Sequence, residues 1–177
     1  MKKILMMMLV SGVVMAACTN QKKENATDME NPFFSEYTTP FQVPPFDEIK
    51  LEHYMPALDS GIVLQEAEIA AIVNNTEEPT FENPILADDQ SGELIRKVMS
   101  VSGPLNSAVT NPERQALARE MTPKMTRHRD NIALNPGLFQ RVKAVYDKRG
   151  ELGLDSQQLR LGEKFYQERK STRLNSS

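Results

Sequence analysis

The chain is organised around Gln42–Ile95, which reads QVPPFDEIKLEHYMPALDSGIVLQEAEIAAIVNNTEEPTFENPILADDQSGELI. Its apolar residues recur at helical spacing and predict an amphipathic helix over Pro56–Asn74. Pro56 suits the first turn, where the missing N–H costs nothing. The residues of the apolar stripe are Leu58, Ile62, Ile69, Ile72 and Val73, and those expected largely off it are Asp59, Gln65, Glu66 and Glu68. The stretch contains no catalytic pattern.

A second helix is predicted from Phe81 to about Val109, with Thr80 as its N-terminal cap. Gly92, Gly103 and Pro104 weaken this helix, so a division into two pieces is an alternative.

Three further helices are predicted downstream. Asn111-Pro112 and Asn135-Pro136 each place a capping residue before a proline, which is typical of a helix start. Asp155 and Gln158 form a capping-box-like pair for the last helix. The apolar stripes are Leu117, Met121, Met125 and Ile132; Leu138, Phe139, Val142, Val145 and Tyr146; and Leu159, Leu161, Phe165 and Tyr166. No confident strand alternation occurs, so the predicted class is all-α, an antiparallel helical array.

Composition limits the function classes. The chain has 177 residues, enough for one domain or for part of a larger one, and its net charge of −3 does not suggest nucleic-acid binding. Acidic residues dominate from Glu24 to Leu94, where Lys50 is the one basic residue, whereas basic residues prevail after Gln140. Two differently solvated faces explain this asymmetry, and a charge-guided contact between them is the alternative.

The N-terminus resembles a bacterial lipoprotein signal. Lys2 and Lys3 precede a short apolar run, and small residues lead to the single cysteine of the chain. We expect residues 1–17 to be removed by cleavage between Ala17 and Cys18, and Cys18 to carry the lipid. An ordinary secretory signal is the alternative. Residues 18–31 are expected to form a flexible tether to the membrane.

The segment Pro32–Pro45 mixes prolines with aromatic residues. Prolines favour an extended course, and aromatics on such a segment usually strap it to a core. A peptide-recognition role is the sharper alternative.

The sequence offers no recognisable catalytic or metal-binding motif. There is no HExxH, no Cys/His cluster and no phosphate-binding glycine loop. His53 is expected to be a surface or packing residue, and His128 a solvated one. Asp88 and Asp89 are adjacent, so on a helix their carboxylates point apart. The prediction is no catalytic residue and no metal ligand in this chain, which is therefore expected to be inactive alone and to bind no zinc.

Several segments resemble one enzyme family in the same order along the chain. These are NPFF (31–34), PPFDEIKLEHYMPAL (44–58), AEIAAI (67–72), PTFENP (79–84), EMTPKMTRHRDNIALNPGLFQRVKAVYD (120–147) and LGLDSQQLRLGEKFYQE (152–168). They are similar to the start of bacterial peptidyl-dipeptidases, also called dipeptidyl carboxypeptidases, in the thimet oligopeptidase family of zinc metallopeptidases. Pro84 and the pair Asp88-Asp89 depart from the family pattern.

The resemblance implies a bilobed helical enzyme, of which residues 32–170 would form part of the N-terminal lobe. One zinc, held by two His and a Glu outside this sequence, would serve a peptidase that releases dipeptides from the C-termini of short peptides. Residues 171–177 leave the family pattern and are expected to be an atypical tail, foreign sequence being one explanation.

Two other hypotheses stay open at this point. One is a free-standing helical lipoprotein that acts as a binding or scaffolding module. The other is a sibling oligopeptidase that cuts peptides internally. The expected location in each case is the cell envelope, with a lipid anchor on the periplasmic or outer-membrane side.

Overall fold

The computed structural model describes residues 31–109 and 111–175, most of which are helical, with no β-strand among them. Two short 3-10 helices, Pro32–Phe34 and Pro40–Gln42, precede the longer helices. The helices are α1 (Leu51–Asn74), a π-helical segment (Phe81–Leu86) that continues into α2 (Ala87–Gln90), α3 (Glu93–Ala108), α4 (Pro112–Ala133), α5 (Pro136–Asp147) and α6 (Ser156–Asn175). The predicted all-α class is confirmed. No helix in these two ranges is long and apolar enough to cross a membrane.

Helix α1 begins before the predicted start at Pro56. The backbone N–H of Lys50 donates to His53 Nδ1 at 3.1 Å, so the His53 side chain stabilises the first turn at Leu51. Pro56 consequently lies inside the helix, where it leaves one backbone acceptor without its usual donor. The predicted first-turn position of Pro56 was wrong because a histidine cap is not part of the usual capping signal.

The predicted second helix is divided. The Thr80 side chain accepts from the Glu82 N–H at 3.2 Å, as its capping role requires. Residues Phe81–Leu86, which directly follow Thr80, are π-helical, and the spacing of the apolar residues did not predict this form. Gly92 has φ +71°, a left-handed conformation that glycine adopts without steric cost, and it separates α2 from α3. The alternative of two pieces is therefore the correct one.

The three downstream helix starts are confirmed. Asn111 and Asn135 accept from the N–H groups of Arg114 at 2.8 Å and Leu138 at 3.0 Å. Asp155 Oδ1 accepts from the N–H of Gln158 at 2.9 Å, and Gln158 Oε1 accepts from the Asp155 N–H at 3.0 Å. The sequence thus predicted these caps from local chemistry alone.

Two apolar clusters form the core, and α1 contributes to both. The first half of α1 packs against α3, α4 and the N-terminal segment; its buried residues are Phe33, Ile49, Tyr54, Ala57, Leu58, Ile95, Val98, Val101, Met121 and Met125. The second half of α1 packs against the π-helical segment and α5. The buried residues of this second cluster are Ile69, Ile72, Phe81, Ile85, Leu138, Val142 and Val145. Helix α6 covers this second cluster with half-buried residues such as Phe165.

The N-terminal segment Pro32–Pro45 packs on the core only in part. The expected extended course was wrong at Pro32–Phe34 and Pro40–Gln42, which form short 3-10 helices because proline suits the first position of a helical turn. The Asn31 amide donates to the His53 carbonyl at 2.9 Å, and the Phe33 ring meets Tyr54 edge-on with centroids 5.1 Å apart. This half is the expected strap. Phe41, however, is 99% exposed, so the expectation that the aromatics of this segment pack on the core fails at that residue.

Candidate functional site

A polar network lies where the two apolar clusters meet. Gln65, Ser91 and His128 each stand in sequence between residues of the first and the second cluster: Gln65 between Leu58 and Ile69, Ser91 between Ile85 and Ile95, His128 between Met125 and Leu138. The fold thus brings three distant polar residues to one junction.

The network runs through the Gln65 amide. Gln65 Nε2 donates to Ser91 Oγ at 2.9 Å, and Gln65 Oε1 lies 2.8 Å from His128 Nε2. Ser91 Oγ in turn donates to the Asp88 carbonyl at 2.8 Å. Because Gln65 Oε1 can only accept, His128 Nε2 must carry the proton that it shares with Gln65. Helices α1 and α4 are thereby joined to the turn between α2 and α3.

His128 is buried, and the expectation that it is solvated was wrong. It is 3% exposed, since it occupies the inward face of α4 beside Met121 and Met125. Burial lowers the pKa of its imidazole, an effect that the nearby Glu66 carboxylate opposes. Glu66 lies 3.8 Å from His128 Nδ1, too far for a hydrogen bond, and Nδ1 has no hydrogen-bond partner among the described residues. At neutral pH the lowered pKa favours the neutral ring, and the contact with Gln65 Oε1 places its proton on Nε2.

A buried ion pair lies next to this network. Arg169 of α6 donates to the Asp88 carboxylate, and both side chains are less than a tenth exposed. Burial raises the pKa of Asp88 to about 6, although the Arg169 charge acts in the opposite direction. Asp89, the adjacent acid, is exposed, so the two carboxylates do point apart as expected. This pair and the exposed pair Lys148–Glu78 each join an acidic residue of the first half of the chain to a basic residue near its end.

The turn at Gly92 fits closely against α1. Its N–H donates to Glu68 Oε2 at 2.7 Å. A Cβ at this position would come within 2.5 Å of the Gln65 side chain. Only glycine therefore allows both the positive φ and the approach of Gln65 to Ser91.

An open cleft of about 340 Å³ adjoins the network. It lies between α1 and α3 on one side and α4 and α6 on the other, and apolar and polar side chains both line it. The apolar lining includes Ile95, Met99, Met125, Ile132 and Ala133, and the polar lining includes Gln65, Ser91, Arg96, His128, Arg129, Glu168 and Arg169.

The arrangement supplies no nucleophile–base pair. Ser91 and His128 are separated by Gln65, and the Ser91 hydroxyl proton is engaged by a backbone carbonyl. No group of three His, Cys, Asp or Glu side chains that could hold a metal ion occurs in residues 31–109 and 111–175. The residues described here thus do not fit a catalytic zinc, which needs three protein ligands. The network joins helices and does not arrange reacting groups.

The predicted lipid-attachment residue Cys18, the cleavage position Ala17 and residues 18–30 of the predicted tether lie outside the described residues. Asn31, the last residue of the predicted tether, is buried and donates to the His53 carbonyl, so it belongs to the segment that packs on the core. The residues of the polar network were missed by the sequence reasoning. A signal existed, because Gln65 continues the spacing of Ile62 and Ile69, and His128 that of Met125 and Ile132. A polar residue at a position of an apolar stripe indicates a buried hydrogen bond.

Comparison with known proteins finds dipeptidyl carboxypeptidases and, at lower identity, oligopeptidase A. No protein-family model matches the chain. Dipeptidyl carboxypeptidase of Escherichia coli is 44% identical over 137 residues, which cover 77% of this chain and 20% of that protein. The dipeptidyl carboxypeptidase of Salmonella typhimurium is 42% identical over the same length. Oligopeptidase A of Salmonella typhimurium is 24% identical over 119 residues, or 67% of this chain and 17% of that protein.

The chain spans about a fifth of the length of the curated relatives that it matches. Identity falls from the dipeptidyl carboxypeptidases to oligopeptidase A. Over these 137 residues the chain is a homologue of the dipeptidyl carboxypeptidases, with oligopeptidase A as a more distant relative.

Proposed function

We propose that these residues are the helical scaffold of a zinc-dependent peptidyl-dipeptidase, which releases dipeptides from the C-termini of short peptides. The observation that carries the proposal is the 44% identity to a dipeptidyl carboxypeptidase, compared with 24% to oligopeptidase A. The preference for dipeptide release over internal cleavage rests on that difference.

The role assigned to this region is structural. Its polar network and ion pair connect α1, α2, α4 and α6; the network contains no nucleophile–base pair, and no group of three His, Cys, Asp or Glu side chains in the described residues could hold a metal ion. In such an enzyme the zinc would polarise the scissile carbonyl and activate a water. Its ligands and the general base would come from residues outside this sequence, which contains no HExxH.

A chimera tests the proposal. The 137 matching residues would replace their counterpart in Escherichia coli dipeptidyl carboxypeptidase, and the control would be the same enzyme with that segment deleted. We expect the chimera to release dipeptides from a peptide with a free C-terminus, and mass spectrometry would identify the products. A folded, zinc-loaded chimera without this activity would contradict the proposal.

A second chimera separates the two peptidase classes. The same segment placed in oligopeptidase A should restore much less activity, because at 24% identity fewer contacts with the rest of that enzyme are kept. Equal activity in both hosts would count against the assignment to dipeptidyl carboxypeptidases rather than to their sibling class.

We also propose that Cys18 anchors the protein to a membrane of the cell envelope through a covalent lipid. The support is the charged start, the short apolar run and the small residues before the single cysteine. Labelling of cells with palmitate should mark the protein, and Cys18→Ser should abolish the label. Label that survives the substitution would refute the anchor.

A further inference from the structure

A small apolar loop stands out on the surface of the N-terminal segment. Residues 38–46, TTPFQVPPF, contain no charged residue in a chain that is 25% charged. Three large apolar side chains of this loop are exposed: Phe41 at 99%, Val43 at 47% and Phe46 at 51%. The exposed apolar surface of this loop is thus concentrated in three side chains within six consecutive residues.

The loop is held in shape by its own backbone. Phe41 and Gln42 have φ +59° and +56°, a left-handed conformation that is unfavourable for residues with a Cβ. The Gln42 N–H donates to the Thr39 carbonyl at 3.0 Å, and the Thr39 hydroxyl donates to the Val43 carbonyl. Prolines on both sides restrict the chain further. The loop therefore presents Phe41 outward in a fixed geometry instead of burying it.

The position of the loop along the chain indicates its partner. The segment is pinned to the domain by Asn31–His53 and Phe33–Tyr54. If Cys18 carries a lipid, the chain between Cys18 and Asn31 can span no more than about 45 Å at roughly 3.5 Å per residue, whatever its conformation. Among the described residues, Phe34 and the three apolar residues of this loop are the exposed large apolar side chains closest in sequence to Cys18.

We propose that Phe41, Val43 and Phe46 insert into the headgroup and acyl boundary of the membrane, and so orient the domain on the surface to which Cys18 attaches it. The inference rests on the proposed lipid anchor. Glu36, Asp47 and Glu48 flank the loop, so insertion should be stronger into zwitterionic than into anionic lipid.

The composition of the chain allows a direct test. It has one cysteine and no tryptophan, so Cys18 can be coupled to a maleimide phospholipid and a single Trp can be introduced. The chain from Cys18 onward, which keeps all described residues, would be attached to phosphatidylcholine vesicles with brominated acyl chains. Phe41→Trp would report on the loop, and Val63→Trp, at a 65% exposed position of α1, is the matched control.

We expect brominated lipid to reduce the emission of the Phe41→Trp variant by roughly twofold and to leave that of the Val63→Trp variant nearly unchanged, since interfacial insertion reaches the upper acyl region. Equal far-UV circular dichroism of both variants checks the fold. Adding anionic lipid to the vesicles should weaken the quenching.

Two results would overturn the inference. One is emission from the Phe41→Trp variant that stays water-like and unquenched on vesicles. The other is blue-shifted emission already in solution without bromine quenching, which would mean that protein covers the loop. Because the lipid is attached chemically, neither result depends on acylation in cells, which palmitate labelling decides separately.

Discussion

At the scale of single residues, the Asp88–Arg169 pair offers the largest energetic effect. Both partners are buried, so removing one leaves an uncompensated charge in the interior. We expect Arg169→Met to lower the free energy of unfolding by about 3–5 kcal/mol. Chemical denaturation would measure this change.

The matched double variant distinguishes a lost pair from lost packing. Asp88→Leu combined with Arg169→Met should recover most of the stability, because the desolvation that raises the pKa of Asp88 then disappears with the charge. Lys148→Met breaks the exposed pair with Glu78 and should change stability little. A double variant as unstable as the Arg169 variant would refute the explanation.

The buried His128 predicts that the free energy of unfolding falls as the pH is lowered. Its pKa is lowered by burial, so the folded protein holds the neutral ring while the unfolded chain takes up a proton below about pH 6.5. This contribution to stability is therefore lost as the pH falls below 6.5. We expect His128→Gln to lessen the loss between pH 7.5 and 5.5, since the amide can still donate to Gln65.

Asp88 acts in the opposite direction and must be separated from this effect. Its pKa is raised to about 6, so its contribution to stability increases as the pH falls from about 6 toward 3.8. The difference in unfolding free energy between parent and His128→Gln, measured at each pH, cancels the Asp88 contribution. If this difference in unfolding free energy does not change with pH, His128 is not buried in its neutral form.

The same residues show how far a sequence predicts a site. The positions of Gln65 and His128 on apolar stripes follow from spacing alone, and a stricter count of the period would have placed them inside. Their partners do not follow from spacing. Gln65 and Ser91 are 26 residues apart, Gln65 and His128 63, and Asp88 and Arg169 81, and only the packing of the helices determines which polar groups meet.

At the scale of the elements, the contact between α1 and α3 depends on Gly61. A Cβ at Gly61 would lie 2.9 Å from Ile95 Cγ1 and 3.2 Å from the Ile95 backbone nitrogen. We expect Gly61→Ala to force the helices apart and to destabilise the fold by about 1–3 kcal/mol. Thermal or chemical unfolding would report the change.

Gly103→Ala is the matched control for this substitution. Gly103 is exposed inside α3, and apart from its chain neighbours a Cβ there would meet nothing within 4 Å. The better helix propensity of alanine and the restriction that Pro104 places on a preceding residue with a Cβ act in opposite directions, so the free energy of unfolding should change by less than about 1 kcal/mol. A loss of stability at Gly103 as large as that at Gly61 would mean that close packing at Gly61 is not the cause.

Element boundaries were predictable where one residue carries the signal. Asn111, Asn135 and Asp155 cap their helices as expected, because a cap is a local hydrogen bond. The start of α1 was missed because it depends on the His53 ring, and the π-helical form of Phe81–Leu86 was missed because nothing in the periodicity distinguishes it from an α-helix.

At the scale of the whole molecule, apolar surface remains open outside the two clusters. Exposed side chains include Val63, Leu64, Val109, Leu159 and Leu174. At about 25 cal/mol per Å², a few hundred Å² of such surface left in water would forfeit several kcal/mol, on the order of the stability of a typical domain.

We therefore expect the 177-residue chain to be helical by far-UV circular dichroism, to bind a hydrophobic dye and to unfold at low temperature. The loop variant Phe41→Ser should retain most of this dye binding, because the other exposed residues remain. A monomer that binds no dye and melts sharply above roughly 60 °C would instead favour a free-standing module.

We propose that these residues build a scaffold and perform no catalysis. The most direct measurement is dipeptide release by the purified, zinc-loaded 177-residue chain from a peptide with a free C-terminus, with Escherichia coli dipeptidyl carboxypeptidase as the positive control. We predict no release above the buffer blank and no stoichiometric zinc, because the chain offers two histidines far apart in sequence and no HExxH. Zinc-dependent release of dipeptides by this chain would contradict the account.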